Sequence, residues 1–193
     1  VGFLVCPKEA VQLKKRIEKS SFFIEKRCVR KGKGSELNYS HFESNYLCKM
    51  EYNLPLQLRW ADIDANFHVR HSVYYDWAAL CRISFMHEKG LTESVYHQFN
   101  MGPILFREEC RFRREIRMGD TISIDLQLLT ARRDFSRWTI QHSIWKSAET
   151  EAARLTVEGA FIDLQLRKLA IPPALAQAVF ELMPRATTFQ WAD

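Results

Sequence analysis

Read by the spacing of its apolar side chains, the chain turns helical at Ser72. From Ser72 to Lys89, Val73, Trp77, Leu80, Cys81 and Phe85 fall on one stripe, and Tyr74, Ala78 and Met86 widen it. Ser72 is placed to cap the start, and Gly90 stands just past the end, where a left-handed residue closes a helix. A helix apolar on nearly every side belongs inside a fold, so this one is expected at the centre. Directly before it the pattern alternates, with Asp62, Asp64, Asn66 and His68 on one parity and Ile63, Ala65, Phe67 and Val69 on the other. Extended backbone would bring the polar residues to one side. Asp and Asn are poor strand residues, so the stretch reads as an extended loop anchored by its apolar side, with a solvated edge strand as the alternative.

After the helix the period becomes two. Ile104, Phe106, Cys110, Phe112 and Ile116 alternate with Arg107, Glu109, Arg111, Arg113, Glu115 and Arg117, which describes a half-buried strand with a charged outer face ending in the turn Met118 to Asp120. Glu108 and Arg114 fall on the apolar parity. Burying an ionised group without a partner costs several kcal/mol, so each needs a reason. Glu108 either points into a cleft, crosses a subunit boundary, or is returned to solvent by a bulge. Next, Ile122, Ile124, Leu126 and Leu128 point inward, Ala131 to Asp134 turn, and Trp138, Ile140, His142 and Ile144 point inward again, with His142 read as a core or interface histidine. On the last long strand Ala153, Leu155, Val157 and Phe161 share a face, while Ile162, Leu164 and Leu166 continue on the other parity. A bulge or bend is expected at Gly159 and Ala160. Pro172 and Pro173 then start a short helix carrying Leu175, Ala178, Val179, Leu182 and Met183. With a further strand from Leu54 to Trp60 ahead of the loop, this is an α+β layout of one buried helix and an antiparallel sheet.

Charge divides the chain. Residues 1–49 carry 11 Lys and Arg against 5 acids, including the run from Glu25 to Lys33, whereas residues 50–193 carry 17 against 18. The first methionine is Met50. Residues 1–49 are therefore expected to be a basic N-terminal extension outside the functional domain, and residues 50–193 that domain, of a size for one core. The apolar stretch Val1 to Cys6 is too short for a secretory signal, and five glutamates spoil a mitochondrial presequence. No run is long and apolar enough to span a membrane. The five cysteines are odd in number and form no CxxC pair, which suits a reducing, cytoplasmic setting.

The chemistry gathers where loop meets helix. A helix start offers orphan N–H donors and the positive end of the dipole. A carboxylate, an amide and an imidazole beside it are the parts needed to polarise a carbonyl and deliver water to it. The stretch DIDANFHVRHSVYYDW resembles the signature of hot-dog-fold thioesterases, both the 4-hydroxybenzoyl-CoA branch and the acyl-carrier-protein branch. The carrier-protein motif D-x-D-x-N-x-H-V-N-N-x-x-Y is matched at Asp62, Asp64, Asn66, His68, Val69 and Tyr74, while Arg70 and His71 replace its asparagine pair. The likeness covers about the last three quarters of the chain.

That resemblance implies the hot-dog fold, an antiparallel β-sheet wrapped around one long central helix, and hydrolysis of an acyl-CoA or acyl-carrier-protein thioester. It implies Asp64 as general base or nucleophile, Asn66 and His68 as partners orienting water or substrate, and the backbone N–H of His71 as the donor to the carbonyl. Asp62 is expected to shape the loop. Tyr74 and Trp77 are acyl-pocket or core residues. For a CoA nucleotide, Arg132 and Arg133 stand at a strand turn where the CoA branch has a similar basic cluster, with a solvated turn as the alternative. For a carrier protein, Arg107, Arg111, Arg113 and Arg117 offer a basic surface, interrupted by Glu109 and Glu115. A homodimer or homotetramer with sites between subunits is implied as well.

Asp64, His68 and His71 also admit a metal triad. Extended geometry would set His68 and His71 on opposite sides, so no metal is expected, nor any cofactor. A non-catalytic acyl-CoA sensor is the other alternative. The basic leader invites it, but without helix-turn-helix spacing no nucleic-acid partner is expected.

Overall fold

The structure, a computed structural model, describes residues 51–147 and 149–192. The expectations for residues 1–49 lie outside the described residues. In chain order the elements are β1 (Asn53–Leu56), a 3-10 turn (Trp60–Asp62), α1 (His71–Glu88), α2 (Glu93–Gln98), β2 (Met101–Phe112), β3 (Ile122–Asp125), β4 (Gln127–Ala131), β5 (Arg137–Lys146), β6 (Thr150–Asp163), β7 (Lys168–Leu169), α3 (Ala174–Glu181) and β8 (Arg185–Trp191). The antiparallel path runs from β2 through β6 to β5, whose far edge is shared by β4 at one end and β3 at the other. β1 extends beyond β3, and β8 lies parallel to β4. This is the α+β arrangement expected, with α1 packed against β2 and β3.

The helix forms where its apolar stripe predicts. Val73, Ala78, Cys81 and Phe85 are buried, and Leu80 is the member of the stripe left half exposed. Its start differs from the expectation: Arg70, not Ser72, is the N-cap, and no side chain caps it. Its end is the glycine stop expected. Gly90 adopts φ +92°, its N–H donates to the His87 carbonyl at 3.0 Å, and the Leu91 N–H reaches back to the Met86 carbonyl at 2.8 Å.

Most strands keep their predicted faces, but Phe106 and Phe112, expected on the inner face of β2, are each 53% exposed, and three further departures stand out. β1 is shorter than Leu54 to Trp60 because the chain coils into the 3-10 turn. β2 stops at Phe112, where the N–H groups of Arg113 and Arg114 both donate to the Ala152 carbonyl, at 2.8 and 2.9 Å. That doubled bond releases Arg114 to solvent. The slip expected at Gly159 and Ala160 is present, but the extra residue sits across the ladder on β2, between Leu105 and Arg107. Past it Leu164 and Leu166 are exposed, because β6 ends at Asp163. α3 closes the end of the core, with Phe180 packed on Phe135, Trp138 and Phe161 at ring separations of 5.4–5.9 Å. α2, β7 and β8 have no counterpart in the sequence pattern.

Candidate active site

The segment before α1 is not extended. The Asp64 N–H donates to the His68 carbonyl at 2.8 Å, the Phe67 N–H to the Asp64 carbonyl at 3.0 Å, and Ile63 bridges Val69, so residues 64–68 form a tight loop. Phe67 takes φ 62° and stands exposed. A tight loop cannot hold all four polar residues on one side: Asp62 turns into the core and Asn66 to solvent, while Asp64 and His68 share a cavity.

Asp62 is fully buried and organises the loop. Its Oδ1 accepts the Arg59 Nη2 at 2.7 Å, its Oδ2 accepts the Arg59 backbone N–H at 3.0 Å, and its carbonyl accepts the Arg70 N–H at 2.9 Å. The Arg59 side chain holds the Asp62 carboxyl below the usual carboxylate range. Asn66 is exposed and its side chain lines no part of the cavity described next, so only its backbone serves the site. That N–H and the N–H of His68 donate to Asp64 Oδ1 at 2.8 and 3.3 Å. Among the described residues Asp64 Oδ2 has no hydrogen-bond donor.

Asp64 opens into a cavity of about 390 Å³ that His68, Val69, His71 and Tyr74 also line. Its other wall is Phe112 and the segment Arg113, Arg114 and Glu115. That segment is brought alongside the loop by the Val69 N–H, which donates to the Ile116 carbonyl at 2.9 Å. His68 Nε2 lies 2.9 Å from Glu115 Oε2, and Arg117 Nη2 reaches the same oxygen at 2.9 Å. A carboxylate only accepts, so His68 carries its proton on Nε2 and presents Nδ1 elsewhere. His71 is the first residue of α1, and the Val73 N–H closes on the carbonyl of the N-cap Arg70 at 3.1 Å. The N–H groups of His71 and Ser72 thus have no acceptor among the described residues, as the start of a helix dictates. Tyr74 meets Phe112 edge-on at 5.0 Å, and burial pushes its phenol up to about 12, so it stays neutral.

The remaining predicted residues stand apart from this cavity. Trp77 is buried in the core behind Tyr74, at 5.5 Å between ring centres. Glu108 faces α1 on β2, where its Oε1 accepts Arg82 Nη2 at 3.3 Å. The same guanidinium places Nη1 3.3 Å from His142 Nε2. Arginine only donates, so His142 accepts there and gives its Nδ1–H to the Asp125 carbonyl at 2.8 Å. Glu108 stays exposed after the bulge on β2, with 28% of its side-chain surface open, while its carboxylate reaches the inward partner Arg82. Arg132 and Arg133 lie in the turn after β4, with Arg133 stacked 5.2 Å from the centre of the Trp191 ring. Neither lines the cavity, because that turn belongs to the β4–β5 connection and the cavity to the β2 end. Sequence reasoning missed Phe112, Arg114 and Glu115 as site residues and offered Arg113 only on an outer face, as part of a basic surface for a carrier protein. The one signal was Arg114, out of phase where the strand ends.

His68 and His71 line the same cavity, which removes the reason given for separating them. Among the described residues no three His, Cys, Asp or Glu side chains gather as a metal-binding group. Among them, too, no helix is long and apolar enough to cross a membrane.

The sequence model of the thioesterase-like superfamily matches residues 58–179. No curated protein sequence matches the chain. Among solved structures, a hypothetical protein from Staphylococcus aureus determined in complex with CoA is similar at TM-score 0.65 and 17% identity, over 75% of this chain and 91% of that one. A 1,4-dihydroxy-2-naphthoyl-CoA thioesterase from Synechocystis is similar at TM-score 0.62 and 17% identity, over 70% of this chain and 99% of that one. A DHNA-CoA thioesterase from Staphylococcus aureus is similar at TM-score 0.61 and 12% identity, over 68% of this chain and 89% of that one.

Proposed function

The chain belongs to the thioesterase-like superfamily and has the hot-dog fold, and on that premise we propose that it hydrolyses an acyl-CoA thioester to a carboxylic acid and a free thiol. The observation that carries this reading is the convergence of Asp64, His68 and the start of α1 on one cavity. In the hydrolysis, a C–O bond forms between water and the acyl carbon, the C–S bond breaks, and the thiol sulfur recovers the proton that water gives up. Asp64, anchored through Oδ1, offers Oδ2 as the base for that proton or as the nucleophile that precedes water. A water held for attack needs a second acceptor, and His68 Nδ1 supplies one as long as Glu115 occupies Nε2. The unengaged N–H of His71, which lines the cavity, is the donor for the oxygen that becomes negative in the transition state.

Tyr74 and Phe112 form an apolar wall for the acyl group, and Arg113 and Arg114 stand at the charged rim. CoA is favoured over a carrier protein because one similar structure was determined in complex with CoA and another is a 1,4-dihydroxy-2-naphthoyl-CoA thioesterase. Among the described residues β2 pairs only with β6, which leaves one long edge unmatched and with it a place for a second copy. A homo-oligomer is part of the proposal on that ground.

The test is Asp64→Asn and Asp64→Ala assayed over acyl-CoAs of graded length and aromatic acyl-CoAs. Both variants should fold, and turnover should fall by about two to four orders of magnitude. Wild-type turnover in either variant would remove Asp64 from the mechanism. Label from H₂¹⁸O appearing in the Asp64 carboxylate after a single turnover would assign it as nucleophile.

A further inference from the structure

On the outer face of the sheet, away from the residues assigned to hydrolysis, a second cavity of about 400 Å³ is lined by Arg107, Arg111, Arg113 and Arg154 with Glu109 and Glu158. Three observations give it a use. Arg113 lines this cavity and also the one that holds Asp64, so the two adjoin at a single guanidinium. Arg111 and Arg154 stand directly opposite each other across the β2–β6 ladder. Like charges in that register repel, and an anion between them turns the repulsion into binding. Finally, the lining's four guanidiniums meet two carboxylates, and Glu151, which pairs with both Arg113 and Arg154, leaves an excess of one positive charge.

The carboxylates present leave room for that anion. Arg111 gives Nε to Glu109 at 3.0 Å, Arg154 gives Nε and Nη2 to Glu151 at 2.5 and 3.0 Å, and Arg113 gives Nη1 to Glu151 at 3.4 Å, which leaves unused donors on each planar group of five N–H bonds. Arg111 remains 76% exposed. The floor adds Gln141 and Thr156, hydrogen-bonding side chains without charge. From Arg113 back to Arg107 the face extends about 20 Å at strand rise.

We propose that this trough binds the phosphates of the thiol carrier, the diphosphate and ribose phosphate of CoA, while the acyl end enters the Asp64 cavity past Arg113. The assignment rests on the thioesterase reading above. Discrete phosphates suit it better than an acidic protein surface, because a cavity of about 400 Å³ admits single phosphate groups between its guanidiniums.

The experiment has two arms. In the first, kcat/KM is measured for an acyl-CoA and for the matching acyl-pantetheine, which has the same thioester and arm but no phosphate. The wild-type protein should prefer acyl-CoA, and Arg111→Gln/Arg154→Gln should cut that preference by about tenfold or more, as expected for lost guanidinium–phosphate bonds. The preference should weaken with added salt. A purely structural role would lower both substrates together and leave the ratio unchanged, which would overturn the proposal. In the second arm, adenosine 3′,5′-bisphosphate is titrated calorimetrically into wild type, the double variant and Arg111→Gln alone. Binding weakened in both variants supports the trough even if no thioester is hydrolysed, in which case the hydrolase reading fails alone. Equal binding to all three proteins, or to none, overturns the trough even where Asp64 proves essential.

Discussion

At Gly159 a single hydrogen atom decides the packing. A Cβ built there would lie 2.3 Å from Cη2 of Trp138 and 2.7 Å from the Ile104 carbonyl oxygen, and neither an indole locked among Phe180 and its neighbours nor a backbone oxygen can retreat. Gly159→Ala should therefore lower stability by about 1–3 kcal/mol or more through overpacking, read as a drop in the urea midpoint. An unchanged midpoint would mean that Trp138 has somewhere to go. The sequence marks this position only as the point where a strand changes parity; that the neighbour filling the space is Trp138 depends on the β5–β6 register. The site residues divide the same way. Asp64 and His68 are legible because they belong to one short motif read along the chain. Glu115, 47 positions beyond His68, reads there as one more charge on an outer face, and only the bond from Val69 to the Ile116 carbonyl brings it to the imidazole.

Among elements, α1 was the most legible, because a dense apolar stripe and a terminal glycine agree, and the loop ahead of it was the least. Eight alternating residues look extended when only period is counted, yet Phe67 takes a left-handed conformation and the chain doubles back. What turns it is the arginine just upstream, since Asp62 closes on both the side chain and the backbone of Arg59. Asp62→Ala leaves those donors and the void unmatched, so it should cost about 1–3 kcal/mol and loosen the frame on which Asp64 is held. The expected signature is a lower urea midpoint together with reduced kcat. Asp62→Asn, which keeps an acceptor for Arg59, should retain part of both. If Asp62→Ala left kcat at the wild-type value, the loop would not depend on this residue for its shape. α2 and β8 escaped the sequence reading for a related reason: a six-residue helix and an edge strand with mixed exposure leave too weak a period to read.

Across the whole molecule, one polar chain crosses an otherwise apolar core, from the Asp125 carbonyl on β3 through His142 on β5 and Arg82 on α1 to Glu108 on β2. The sequence showed His142 and Glu108 as oddities on two inner faces but could not show that one arginine answers both, because that requires the helix to lie between the strands. Burial first, and the Arg82 charge second, push His142 down from 6.5 to about 3. Between those values the unfolded chain binds a proton that the native protein refuses, so stability rises with pH through this window and is lost as pH falls from 6.5 toward 3. The loss approaches about 1.4 kcal/mol per pH unit, or about 2 kcal/mol between pH 7 and pH 5. His142→Gln keeps an acceptor for Arg82 and cannot take up the proton. It should be less stable than wild type at pH 7, by about 1–3 kcal/mol for the imperfect replacement of two buried bonds, yet its stability should change less between pH 7 and pH 5. The carboxyl of Asp125, raised by its own burial, contributes in the opposite sense, but it is present in both proteins and drops out of the comparison. Urea titrations of the two proteins at pH 7, 6 and 5 measure the difference, and parallel lines against pH would show that His142 takes up its proton in the native core.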